Sequence, residues 1–140
     1  MDNVKRAANA YKAAQVDAAV LGANPHELIK ILMARAIESI QEAKSHMLNG
    51  DVNAKGQAIK LGIAIVSDGL RGSLNMEEGG EIAANLDVLY DYMAKQLLKA
   101  HAENNADILD EVASLMRNIK EGWDAIKPQQ SVESELQPHV

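Results

Sequence analysis

The chain has no cysteine and no phenylalanine, and aromatic residues make up only 3% of its 140 positions. Without thiols, disulfides and cysteine-ligated metal centres are excluded, and the absence fits a reducing compartment. Without Phe, a core must be assembled from Leu, Ile, Val, Met and Ala, side chains that suit helices better than sheets. Nowhere do about 18 uncharged apolar residues run together, so no transmembrane helix is expected. The apolar link Ala18 to Ala23 is too short for a secretory leader. Cations are in deficit, with 14 Lys and Arg against 20 Asp and Glu and a net charge of −6. That balance argues against binding nucleic acid through its phosphates. The protein is therefore expected to be soluble, intracellular and all-α.

What is present is apolar residue at helical spacing. Hydrophobic residues are 47% of the sequence, which argues against disorder throughout, and the length is that of one domain. Asn24-Pro25-His26-Glu27 reads as a helix start, with a cap, a first-turn proline and a capping-box acid. Ile29, Met33, Ala36, Ile40, Ala43 and Met47 follow at alternating spacings of four and three, one stripe on one helix. Asn49-Gly50 supplies the stop. A second stripe, Val52, Ile59, Ile63, Val66 and Leu70, runs between Asp51 and about Ser73, interrupted by Gly56, Gly62, Gly69 and Gly72. Those glycines fit either tight packing on a neighbour or a helix that yields to a partner. The third stripe is Ile82, Leu86, Leu89, Met93, Leu97 and Ala100. The fourth, behind Asn105 as its cap, is Ile108, Val112, Leu115, Ile119, Trp123 and Ile126. Long helices with short connections predict an antiparallel four-helix bundle over residues 25–126.

The flanks differ. Residues 1–24 read as an N-terminal arm and link, whose short Ala-rich helix around Ala7, Ala10, Tyr11 and Ala14 needs a surface to dock on. Residues 127–140 are polar, contain Pro138 and are expected to stay disordered.

Sites of chemistry are sought without success. No histidine among His26, His46, His101 and His139 follows a Glu at the spacing of bundle metal sites. There is no zinc pattern, no phosphate loop and no serine paired for nucleophilic attack. No catalytic residue, metal ligand or cofactor is assigned, and an enzyme is not supported. Two features remain. Glu77, Glu78, Glu81, Asp87 and Asp91 fall in a stretch without Lys or Arg, and an acidic helix start alone explains part of this. Val88 and Tyr92 form a second apolar strip off the third stripe, and Leu28, Leu32 and Leu98 also lie off their stripes. Such excess thickens a core or receives an amphipathic helix from a partner.

Several stretches together resemble the FliS family of flagellin export chaperones. The most specific runs from Ser73 to Met93, with its Gly79-Gly80-Glu81, Asn85-Leu86 and Leu89-Tyr90-Asp91-Tyr92-Met93 elements. Asn9-Ala10-Tyr11, Gln15-Val16 and Pro25-His26-Glu27-Leu28-Ile29 are similar to the family's N-terminal pattern. Leu109-Asp110-Glu111-Val112 and Gly122-Trp123-Asp124-Ala125-Ile126 are similar to its last helix. The resemblance implies a cytoplasmic helical chaperone that holds the disordered C-terminal segment of flagellin, prevents premature polymerisation and presents the client to the type III export gate protein FlhA. It further implies an arm, here Asn9, Tyr11, Gln15 and Val16, that can occupy part of the client groove. Pro25, Leu28, Ile29 and Tyr92 are its groove candidates. The link Asp17 to Asn24 is longer than the family's usual one, and Met33-Ala34-Arg35-Ala36 departs from its usual motif. A helical adaptor for another flagellar-system protein is the alternative with the same fold.

Overall fold

The free amides at a helix start need acceptors, and the Asn24 side chain supplies one, accepting from the Glu27 N–H at 2.9 Å. Helix α1 then runs Pro25–Leu48. It stops where Gly50 takes φ +77°, a left-handed conformation open to glycine at no Cβ cost. The Gly50 N–H donates to the Met47 carbonyl at 3.2 Å and the Asp51 N–H to the His46 carbonyl at 2.9 Å, the Schellman pairing. Asp51 caps the next helix by accepting from the Ala54 N–H at 3.1 Å. The computed structural model describes residues 24–126. The expected arm, with Asn9, Tyr11, Gln15 and Val16, and the expected tail 127–140 lie outside the described residues.

Helix α2 spans Val52–Ala64, but it does not continue as one α-helix to Ser73. It passes into a π-helical segment Ile65–Leu70 and then a 3₁₀ turn Arg71–Ser73. Wider bonding places an extra residue in the turn, and Ile65, Val66, Gly69 and Leu70 are all buried there. After a loop, α3 spans Gly80–Glu103 and ends on Asn104 in the left-handed region, φ 52°. Asn105 accepts from the Asp107 N–H at 2.9 Å and opens α4, Ala106–Ala125. Among the described residues there is no strand.

Each helix packs on two others: α1 against α2 and α4, α3 against α2 and α4. The directions follow from cross-helix pairs. Lys44 meets Asp110 and the Trp123 indole meets His26, so α1 and α4 are antiparallel. The bundle interior holds Met33, Ala36 and Ile40 of α1, Ile59 of α2, Met93 and Leu97 of α3, and Leu109, Val112 and Met116 of α4. At Gly62 a methyl group would sit 3.6 Å from Leu97 and from the Ser39 hydroxyl, which favours the tight-packing reading of that glycine. The two buried polar residues, Ser39 and Lys55, are paired, although the buried Nδ1 of His101 has no partner: Ser39 Oγ donates to the Ala58 carbonyl at 2.5 Å. Lys55, only 6% exposed, donates to Asn104 Oδ1 at 2.8 Å and the His101 carbonyl at 3.4 Å, a cation at the negative end of α3.

The stripes need correction at their ends. Val52, Ile82 and Ile126 are exposed, each at a helix end where few neighbouring turns surround it. Tyr90, which lies off the third stripe, is also buried, 2% exposed. On α4 the buried face is rotated by one residue: Leu109 and Met116 are fully enclosed, whereas Ile108 and Leu115 are half-buried.

Adjacent leucines on α3 test this packing. Leu97→Ala should lower stability by about 2–5 kcal/mol through the cavity it leaves. Leu98→Ala, on an exposed side chain, should change it by less than about 0.5 kcal/mol. Urea denaturation midpoints read both, and a Leu97→Ala midpoint equal to wild type would remove that residue from the core.

Candidate functional site

A helix packed on two neighbours buries one face and shows the other. On α3, residues seven apart stand nearly in line, offset by about 20°. The outward face therefore carries the rows Glu81, Val88, Lys95 and Asn85, Tyr92, Lys99. A third row, Ile82, Leu89 and Gln96, borders α4. Ile82, Val88 and Tyr92 are 74%, 69% and 40% exposed, while Leu86 and Leu89 are half-buried against the core. The border is pinned at one carboxylate: the Tyr92 hydroxyl donates to Glu111 Oε2 at 3.0 Å and the Gln96 amide to Glu111 Oε1 at 3.1 Å. That hydrogen bond to Glu111 raises the Tyr92 phenol above its ordinary pKa, keeping the proton on the donor. Burial pushes Tyr90 up to about 12. Continuing along antiparallel α4 come Leu115, Ile119 and Trp123, all half-buried against the core. Together with Leu86 and Leu89 they make an apolar margin along the α3–α4 border.

Trp123 closes the end of this border. Its indole stacks on His26, ring centroids 4.9 Å apart and 14° from parallel, and its Nε1–H donates to the His26 carbonyl at 3.0 Å. Asp124 beside it accepts from Lys120 at 2.9 Å, and that hydrogen bond lowers the carboxyl below its ordinary pKa. The first turn of α1 is thereby tied to the last turn of α4.

The groove candidates fall at two stations. Pro25 is exposed, and Leu28 and Ile29 half-buried, at the His26–Trp123 end. Tyr92 stands beside Glu111, and the twelve residues from Glu111 to Trp123 span about 18 Å of helix. These residues do not share one pocket; they mark positions along an extended surface. The Arg71 clamp was not anticipated. Its Nε lies 2.7 Å from Asp87 Oδ1 and its guanidinium 3.2 Å from Asp91 Oδ1, and Lys95 lies 2.8 Å from the other Asp91 oxygen. The hydrogen bond that Arg71 donates to Asp87 raises the Arg71 pKa, and the one from Lys95 lowers that of Asp91. The signal was present in the four-residue spacing of Asp87 and Asp91, which puts both on one side of α3. Glu77, Glu78 and Glu81 are exposed and make no ion pair among the described residues.

Elsewhere, a pocket of about 180 Å³ lies between α1 and α4, where Lys44 pairs with Asp110 at 2.9 Å. Among the described residues, no cluster of three His, Asp or Glu side chains could hold a metal, and no helix is long and apolar enough to cross a membrane.

Residues 7–130 match the family model described as Flagellar protein FliS. The chain is 43% identical over 122 residues to Flagellar secretion chaperone FliS of Salmonella typhimurium, an overlap of 87% of this chain and 90% of that protein. It is 41% identical over 120 residues to the protein of the same name from Vibrio cholerae, covering 86% and 88%. With Flagellar secretion chaperone FliSB of Pseudomonas aeruginosa it shares 40% identity over 121 residues, covering 86% and 95%. A family match over most of the chain, on a helical bundle with an open apolar border, settles the affiliation: this chain belongs to the FliS family of flagellar secretion chaperones.

Proposed function

We propose that this chain is a flagellin-specific export chaperone of the cytoplasm. It binds the C-terminal segment of flagellin, which is disordered when free, prevents premature polymerisation and assists delivery to the type III export apparatus, where the complex meets FlhA. The observation that carries the reading is the outward α3 face, with exposed Ile82, Val88 and Tyr92 beside the half-buried margin of Leu115 and Ile119. An amphipathic segment that folds as it docks would cover such a surface. The activity is binding, without a catalytic step. Flagellin's own apolar surface is sequestered until export.

In this reading the arm residues Asn9, Tyr11, Gln15 and Val16 compete with the client for part of this surface, and Pro25, Leu28 and Ile29 are the candidates for where the client path begins. Tyr11 suits that role because a tyrosine ring buries a large area while its hydroxyl stays wet. Self-occlusion lowers apparent affinity in proportion to the open fraction.

Calorimetry with full-length and C-terminally truncated flagellin tests the client. Full-length flagellin should bind with a markedly negative heat-capacity change, as apolar surface is buried by a segment that orders. Equal affinity for both forms would show that the client segment is wrong. Because the chain has no cysteine, a nitroxide on Asn9→Cys labels one site and reports the arm. Its mobility should rise when flagellin is added; an unchanged or more ordered label would replace competition with a clamp.

A further inference from the structure

One end of the bundle is left with apolar side chains uncovered. The Asn49-Gly50 turn folds α2 back along α1, where Ser39 meets Ala58. Lys55 meets His101 and Arg71 meets Asp87, so α2 and α3 are antiparallel, as α1 and α4 are. The start of α1, the 3₁₀ turn after α2, the start of α3 and the end of α4 therefore share one end. Met76 there is 48% exposed, Ile82 74% and Ile126 54%, and Leu28, Leu74 and Trp123 are only half-buried. A methyl group at Gly122, one turn before Ile126, would meet nothing within 4 Å, so the α4 side of this end is open as well.

The chain enters α1 at this end. Asn24, the N-cap, is extended at φ −69° and ψ 160°, which turns the residues before it off the helix axis. The residues around the cap have the pattern of a hydrophobic staple, in which the residue before the cap packs on the fourth of the helix, here Ala23 and Leu28. Ahead of the cap stands Ala18-Ala19-Val20-Leu21-Gly22-Ala23, six residues without a charge or a hydrogen-bonding side chain. They lie outside the described residues.

We propose that residues 18–23 dock across this end as a fixed plug, with Ala23 on Leu28 and with Val20 and Leu21 on the floor between Met76 and Ile126. Reach selects this end. Neighbouring helix axes about 10 Å apart put the α3 corner about 14 Å diagonally from α1, and six extended residues span at most about 20 Å. The other exposed pair, Leu48 and Val52, stands beyond that span, because α1 is about 36 Å long. The plug stops at the α3 corner and leaves the outward rows of that helix to a client. It goes beyond the competition ascribed to Asn9, Tyr11, Gln15 and Val16: those residues move, whereas the link behind them stays. It stands whether or not flagellin is the client.

The tail that leaves Ile126 is the nearest rival for this floor. Its apolar residues Val132, Leu136 and Val140 are separated by polar ones, and its Glu133 and Glu135 would face the exposed Glu77 and Glu78. The link brings no charge to the floor and carries its apolar side chains in one run, already tethered in place.

Hydrogen exchange of the full chain, read by mass spectrometry, tests the plug. Amides of residues 19–23 should exchange at least about tenfold more slowly than those of 130–136. Met76→Ser with Ile126→Ser, two exposed side chains outside the core cluster, should remove that protection and leave exchange within residues 33–43 unchanged. Leu21→Ser, in the link itself, should do the same without touching the bundle. Adding flagellin should leave the link protected. Unprotected exchange at 19–23, or protection that survives these substitutions, overturns the proposal. So does protection that vanishes on dilution, which gives the floor to a second copy, or on adding flagellin, which gives it to the client. An exchange change confined to 130–136 in the Met76→Ser, Ile126→Ser chain overturns it too, since the tail then holds the floor.

Discussion

At Gly62 three helices meet. The glycine on α2 faces Leu97 of α3 and both Ser39 and Ile40 of α1, and a methyl group there would already be in ordinary contact, 3.6–3.8 Å from each. Anything longer would push α2 away from its neighbours. In a chain without Phe or Cys, Tyr90 is the one aromatic ring among the described residues' buried core, and no disulfide braces the interior. Cohesion then has to come from close backbone approach and many small dispersion contacts. Ala36, Ala43 and Ala100, all fully buried, extend the same logic along the bundle. Ser39 can sit at this crossing because its hydroxyl is satisfied by the Ala58 carbonyl; unpaired, it would cost about 1–3 kcal/mol.

Close approach on the inside fixes α3, and polar clamps hold it along its length. Lys55 reaches the C-terminal turn through His101 and Asn104, and Arg71 grips Asp87 and Asp91. The Arg71 clamp comes from the residue just after the π-helical segment. The irregular end of α2 therefore positions the cation that steadies the first half of α3. With Tyr90, Met93 and Leu97 buried beneath, α3 needs nothing on its outer side to stay in place. That is the condition for leaving Val88 and Ile82 uncovered.

Much of this was legible in the residues. Asn24, Asp51 and Asn105 all act as caps because short polar side chains reach the first free amides, and that chemistry is local. The stripe Met33, Ala36, Ile40, Ala43, Met47 is buried as its spacing says. Periodicity gives a face, however, and not its depth. Ile82 satisfies the spacing yet stands at a helix start with little around it, and Tyr90, beside the stripe, is enclosed within the core cluster. The π-helical turn was invisible because it answers to packing of Ile65, Val66 and Leu70 rather than to local propensity. Tyr92 was placed on an outer face by spacing alone, whereas its tie to Glu111 requires knowing which helix lies alongside. The same holds for Trp123 and His26, 97 positions apart in sequence.

The division between a paired interior and an uncovered outer face has an energetic consequence for a chaperone. A client must be held and later released, so the binding surface cannot be as cohesive as the core. Val88 and Ile82 offer apolar area that costs the free protein little, since isolated exposed hydrophobics are common on soluble proteins. The acids and lysines that bracket them keep the patch small and hinder unselective association, as charge at an apolar rim generally does. Tyr92 joins the two regimes: its ring belongs to the outer face and its hydroxyl to the α3–α4 contact through Glu111. A segment settling on that ring therefore touches an outer residue whose position, like that of Gln96, follows the spacing of α3 and α4, and binding on the surface becomes coupled to how tightly α4 is held.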